Sequence, residues 1–212
     1  MRRPQFIARQ ASRPQGLLGR LIAAIMVRET ASINRAVIAA LGVRPADHLL
    51  DVGCGSGFSI ELLVPLVPQG SVSGIDPSAL MTARACKRNC PDVTAGRVII
   101  ATAGAEHIPF VDDTFDAIMS VHTVYFWMDL DPALAELARV LRPGGRLVLA
   151  FRTSANAAAA ASFPHDVYCI RSLEQIVNAV GAAGFCVIAT KSDRDGGEPA
   201  LLLAQMPEAT AP

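Results

Sequence analysis

Residues 49–57 read Leu49-Leu50-Asp51-Val52-Gly53-Cys54-Gly55-Ser56-Gly57, an apolar run that ends in glycine at every second position. Such a run predicts a buried strand over 48–53 that turns sharply into a helix over 58–66. Glycine lets the turn take left-handed backbone and lets a ligand approach the main chain. Downstream, Pro68-Gln69-Gly70 closes the helix and a second strand is predicted at 71–75. A helix then runs from Pro77 to about Asn89, followed by strands at 97–102 and 115–121. Asp131-Pro132 predicts the next helix start, with Asp as N-cap and Pro at the first helical position. That helix ends before Pro143-Gly144-Gly145, which reads as a turn into a fifth strand at 146–151. After a stretch of small residues at 153–162, the Ser172/Gln175 spacing is a capping box for a helix that ends at Gly184. Strands at 185–191 and 200–205 flank the polar turn Asp193–Pro199. Upstream, Leu17, Leu18, Leu21, Ile22, Ile25 and Met26 recur at helical spacing over 17–29, and a second helix over 32–41 ends at Gly42.

Alternating strands and helices closed by a late hairpin predict an α/β fold. Its form is a Rossmann-like, doubly wound, seven-stranded sheet with a C-terminal antiparallel hairpin. The expected organisation is an N-terminal helical cap at 1–44, a ligand-binding core at 45–206 and a tail at 207–212. At 212 residues and 51% apolar composition, the chain suits one packed domain. Its formal net charge of +0 gives no global electrostatic case for a nucleic-acid partner. No apolar run reaches the ~18–20 residues that span a bilayer. The five cysteines, Cys54, Cys86, Cys90, Cys169 and Cys186, are odd in number and scattered. They read as free thiols in a reducing, cytoplasmic compartment, and no Cys/His cluster offers a metal site. Arg2, Arg3, Arg9, Arg13 and Arg20 precede the first acid, Glu29. They read as a basic arm leading into a helix, although an organelle transit peptide has the same bias.

The cofactor is the next question. A dinucleotide fingerprint spaces its glycines G-x-G-x-x-G, whereas Gly53, Gly55 and Gly57 follow G-x-G-x-G, with Asp51 two residues before the first. A pyrophosphate tolerates an acid there poorly, while a cofactor with a positively charged amino-acid headgroup favours one. Asp51 therefore tilts the reading toward S-adenosylmethionine (SAM). Asp76, 19 residues past Gly57, ends the second strand, where an acid accepts hydrogen bonds from ribose hydroxyls. A plain N-cap for the Pro77 helix is its ordinary alternative.

The segments LLDVGCGSG (49–57), SGIDPS (73–78), AEHIPFVDDTFDAIMS (105–120) and ELARVLRPGGRLVLAF (136–151) together resemble the small class I SAM-dependent methyltransferases of the type-11, ubiquinone/menaquinone-biosynthesis kind. The resemblance covers roughly 45–206. It implies that Asp51, Gly53, Gly55 and Gly57 surround the methionine end of SAM and that Asp76 holds the ribose. It places Pro77 and Met81 on the adenine, Ala105 and Glu106 at the adenine edge, and Val121 and His122 beside the reacting methyl. The family often carries Gly-Asp-Ala before that Glu, its Asp accepting from the adenine amino group. This chain has Ala103-Gly104-Ala105, which leaves Glu106 or a water to substitute.

Methyl transfer from a sulfonium needs alignment and exclusion of water, and a base only where the acceptor carries a proton. His122, Tyr125 and His165 are the candidates, with His122 equally readable as a cofactor contact that moves no proton. Tyr125-Phe126-Trp127 reads either as an apolar acceptor wall or as loop-to-sheet packing. His165 and Tyr168 fall in the 153–171 connection, which otherwise reads as a surface loop. The expected activity is methyl transfer to a small, lipophilic acceptor by a monomer or homodimer. The basic arm and the first helix are candidates for peripheral membrane contact. The alternatives are a non-catalytic SAM-binding or partner-binding protein that keeps the fold, and a nicotinamide dehydrogenase, against which the glycine spacing argues.

Overall fold

The computed structural model describes residues 30–156, 167–193 and 198–209. The predicted helix at 17–29, the basic arm and His165 lie outside them. The chain is helical over 30–41 (α1), and then strands and helices alternate. They are β1 (His48–Val52), α2 (Phe58–Leu63) and β2 (Ser71–Asp76), then α3 (Ala79–Arg88), α4 (Cys90–Thr94) and β3 (Val98–Thr102). β4 (Phe115–Val121), α5 (Leu130–Val140), β5 (Leu141–Phe151), α6 (Leu173–Ala182), β6 (Cys186–Lys191) and β7 (Ala200–Gln205) follow. The seven strands form one sheet in the order β3-β2-β1-β4-β5-β7-β6. The first five are parallel, and β7 runs antiparallel to both β5 and β6. The doubly wound sheet with a late hairpin therefore stands as expected.

Successive strand residues face opposite sides, so each parallel strand feeds two cores. Leu49, Val72, Met119 and Val148 pack with Ile33, Val37 and Leu41 of α1 and Ile60 and Leu63 of α2. On the other face, Leu50, Ile75, Ile118 and Leu149 pack with Leu134 and Leu137 of α5 and Ile176 and Val180 of α6. Helices cover both faces, and the carboxyl ends of the parallel strands lie along one edge. The order of connection reverses between β1 and β4, and in open α/β sheets ligands bind outside the strand ends at such a switch. Among the described residues no helix is long and apolar enough to cross a membrane.

The element boundaries differ from the sequence-based ones in several places. Residues 58–66 divide into α2 and a 3-10 turn, Val64–Leu66, with Pro65 at the break. The helix expected from Pro77 begins at Ala79 behind an N-cap at Ser78, and the separate short helix α4 follows it. α5 starts two residues early: Asp129 is its N-cap and accepts a bond from the Asp131 amide, which puts Pro132 at the third helical position. β6 begins at Cys186, one residue late. Pro143-Gly144-Gly145, read as a turn, lies inside β5. The register against β4 jumps from Phe115↔Leu141 to Ala117↔Arg146, and the extra residues form a bulge. Gly144 N–H donates to the Met206 and Pro207 carbonyls, and Met206 N–H donates to that of Gly145, so bonds from the far end of the chain hold the bulge. A bulge is where a strand tolerates proline and glycine.

Candidate functional site

The glycine turn leaves the carboxyl end of β1 with all three of its glycines at positive φ: 79° at Gly53, 53° at Gly55 and 76° at Gly57. Gly53 and Cys54 N–H both donate to the Ile75 carbonyl, at 2.8 and 3.0 Å, which ties the turn to β2. Gly57 is pressed from the other side. A Cβ there would lie 2.6 Å from Asn89 Nδ2 and 2.9 Å from the Ala85 backbone. Asn89 is buried and its amide donates to the Gly57 and Ala85 carbonyls, at 3.1 and 3.0 Å. Both carbonyls also accept a backbone N–H. Asn89→Ala is therefore expected to cost only about 1–2 kcal/mol, read as a lower denaturant midpoint with an unchanged m-value.

Two carboxylates stand under this turn. Asp76 Oδ2 accepts from Gly55 N–H at 3.0 Å, and its Oδ1 accepts from Ser78 N–H at 2.8 Å. Ser78, not Asp76, is the N-cap of α3, so the plain capping role for Asp76 does not hold. Burial raises the Asp76 carboxyl above its ordinary range, and the two amide bonds pull it back down. Asp51 is 2% exposed and accepts a short hydrogen bond from the Ser59 hydroxyl. Burial pushes it up to about 7; the Ser59 bond lowers it, and the neighbouring Asp76 charge raises it further.

The remaining sequence-predicted residues, His165 apart, fall on the same edge of the sheet. Pro77 is exposed between Asp76 and α3. Met81, in the first turn of α3, is 3% exposed yet lies outside both apolar clusters. Asp76 pairs with Thr102 across β2 and β3, and its carbonyl accepts from Ala103 N–H, which brings the 103–106 loop alongside. Ala105 is buried and Glu106 exposed. A Cβ at Gly104 would lie 2.6 Å from Glu106 Oε2, so the glutamate folds back over Gly104.

Val121 and His122 end β4. His122 has a φ of 59°, unusual for a non-glycine, and its N–H is fixed to the Ala150 carbonyl at 2.7 Å. Its Nδ1 is buried with no hydrogen-bond partner among the described residues. Burial, aided by the positive charge of Arg152, lowers the imidazole to about 4, so the ring is neutral at neutral pH. Tyr125 stacks 6.1 Å from His122, and Tyr125, Phe126 and Tyr168 form a mutual cluster with centroids 4.9–5.5 Å apart. Tyr125, Trp127 and Tyr168 all belong to the buried apolar core on this face of the sheet, and Phe126 packs against it.

Sequence reading missed two serines and a threonine. Ser59 bonds Asp51 from eight residues away, a contact without a local signature. Ser56 Oγ, within the glycine turn, is buried with no hydrogen-bond partner among the described residues. Thr123 sits over Gly53. No group of three or more His, Cys, Asp or Glu side chains is placed to hold a metal ion among the described residues.

A turn of positive-φ glycines, a buried hydroxyl with no partner among the described residues and an acid at the end of β2 fit a nucleoside carrying an amino-acid headgroup. A family model described as a methyltransferase domain matches residues 50–149. YrhH of Bacillus subtilis is 30% identical over 59% of this chain and 68% of its own length. The chain belongs to the class I SAM-dependent methyltransferase family. The ubiquinone/menaquinone biosynthesis C-methyltransferase UbiE of Geotalea daltonii is 33% identical over 56% of this chain and 51% of its own length. A SAM-dependent methyltransferase from Aquifex aeolicus superposes with a TM-score of 0.69 at 24% identity, over 82% of this chain and 89% of that one. The chain spans about half the length of most of the curated relatives it matches, with coverage of 42%, 48% and 51% in three of them.

Proposed function

We propose that this methyltransferase-family chain transfers the methyl group of SAM to a small acceptor with an apolar body. One observation carries the reading: just past the end of β4, Thr123 packs over Gly53 of the glycine turn, and the adjacent His122 stacks on Tyr125 of the Tyr125–Phe126–Tyr168 cluster. Asp51, the turn of Gly53, Gly55 and Gly57, and Ser56 surround the methionine end. Asp76 holds the ribose; each of its carboxylate oxygens already accepts one amide bond and has a second lone pair. Met81 and Pro77 pack on the base, and Ala105 and Glu106 border its edge. The Glu106 carboxylate accepts from the adenine amino group in place of the acid missing at 104.

When bound, SAM supplies an electrophilic methyl on a sulfonium, which leaves as a neutral thioether after in-line attack. The protein's task is alignment, and the aromatic cluster provides it by excluding water and orienting a flat or hydrocarbon acceptor. His122 is neutral, so it does not repel a sulfonium, and its ring nitrogen is free to hydrogen-bond the acceptor's N–H or O–H and take the proton as the methyl bond forms. Val121 lines the approach, and Tyr125 closes the far side of the His122 ring. His165 belongs to the same proposal from outside the described residues.

The test has two stages. Calorimetry with SAM and S-adenosylhomocysteine is expected to show one site; no heat from either ligand would end the proposal. Labelled methyl transfer is then read across phenolic, quinone-type and terpenoid acceptors. His122→Asn is expected to lower turnover about 10- to 100-fold on an acceptor that carries a proton, with SAM affinity within about threefold. Tight SAM binding with no product from any acceptor would favour the non-catalytic alternative.

A further inference from the structure

We infer that Thr123 is a positioning residue that ties the glycine turn to the acceptor wall, so that cofactor occupancy is felt by the aromatic residues. The inference rests on the SAM-binding reading above.

The side chain of Thr123 touches one half of the site, and its backbone builds the other. A Cβ placed on Gly53 would overlap the Thr123 γ-methyl and sit 3.2 Å from the Thr123 Cβ, so the methyl fills the space that glycine leaves. The hydroxyl is committed as well. Ser120 Oγ donates its single proton to the Val52 carbonyl at 3.0 Å, so in the short Ser120–Thr123 hydroxyl pair Thr123 is the donor. Residues 120–123 are thus clamped onto the last residue of β1 immediately before the turn begins.

The Thr123 carbonyl faces the other way. It accepts from Phe126 N–H at 2.8 Å and opens the 3-10 turn Val124–Phe126, with Thr123 at its N-cap position and no side-chain cap bond. That turn aims Tyr125 and Phe126 at Tyr168 and fixes Trp127, whose N–H donates to the Val124 carbonyl at 3.3 Å. His122, one residue earlier, is held at positive φ by its bond to Ala150, so the segment has little freedom to absorb a shift. A displacement of Gly53 therefore passes to Thr123 by direct packing, and from Thr123 to the aromatic turn.

Trp127 is the chain's one tryptophan, buried just beyond this turn, and it reports the coupling without a known acceptor. S-adenosylhomocysteine is titrated while Trp127 emission is followed, with the dissociation constant taken independently from calorimetry. In the wild type the emission change is expected to track occupancy. Thr123→Ser keeps the hydroxyl and loses the methyl. It is expected to bind within about fivefold of wild type but to lose at least about two thirds of the emission change. Thr123→Val keeps the methyl and is expected to retain most of that change. A residue that served only stability would move the melting temperature of both variants and leave the emission amplitude at saturation unaltered. An unchanged amplitude in Thr123→Ser, or no Trp127 response in the wild type at saturating ligand, overturns the coupling while SAM binding stands. Absence of any binding heat overturns both.

Discussion

Alanine in place of Asp76 is expected to raise the dissociation constant for SAM about 100-fold or more. Hydrogen bonds to a charged acceptor contribute about 1.5–3 kcal/mol each. Two ribose hydroxyls on one carboxylate therefore account for about 3–6 kcal/mol, and every 1.4 kcal/mol is tenfold in affinity. The carboxylate also holds the turn before any ligand arrives, through the Gly55 amide on one oxygen and the Ser78 amide on the other. Its loss removes a ligand contact and loosens the glycine turn. Asp76→Asn separates the two effects. One amide oxygen still accepts, so the turn is partly kept and the loss of affinity should fall well short of that in Asp76→Ala. Calorimetry reads both variants, and thermal unfolding of the ligand-free proteins controls for folding. An Asp76→Ala affinity within about fivefold of wild type would remove this residue from the site.

Much of this site is written locally in the chain. The run from Leu49 to Gly57 contains its own strand, its own turn and the acid beside it, and Asp76 follows from the length of one helix and one strand. What was not legible depends on partners distant in sequence. Pro143-Gly144-Gly145 is a turn by composition, and it becomes a strand bulge only because Met206 and Pro207 bond to it. Asp131-Pro132 reads as cap and first helical residue, whereas the fold caps that helix two residues earlier, at Asp129. The aromatic triplet reads as one unit, and its 3-10 turn packs it into the core, where Tyr125 and Phe126 meet Tyr168 from a segment distant in sequence. Thr123 has no signature at all, because its role exists only where β4 lies beside β1.

The buried carboxyl of Asp51 leads to the opposite kind of prediction: a substitution that strengthens the fold while it weakens the site. Asp51→Asn is expected to stabilise the ligand-free protein by about 1–4 kcal/mol at pH 8, the upper figure being a rise of about three pKa units at about 1.4 kcal/mol each. The sign follows from where the proton is held. The folded state, with its carboxyl pushed up from 3.8 to about 7, keeps the proton after the unfolded chain has released it. Stability of the wild type therefore falls as pH rises from about 4 to about 7 and is flat with respect to this group above that window. Asparagine carries no such penalty, and its side-chain oxygen still accepts from the Ser59 hydroxyl. The variant's advantage should be absent near pH 4, grow through the window and level off near pH 8, as read from denaturant midpoints. Ligand affinity should move the other way. A cationic amine or sulfonium near Asp51 favours the ionised carboxylate, so wild-type binding should tighten up to about fivefold between pH 6 and 7. Asp51→Asn should bind about 10- to 100-fold more weakly at pH 7.5, with that pH dependence lost. If the variant is instead less stable than wild type at pH 8, Asp51 supports the fold, and the strain assigned here to a buried acid held in place for its ligand is not there.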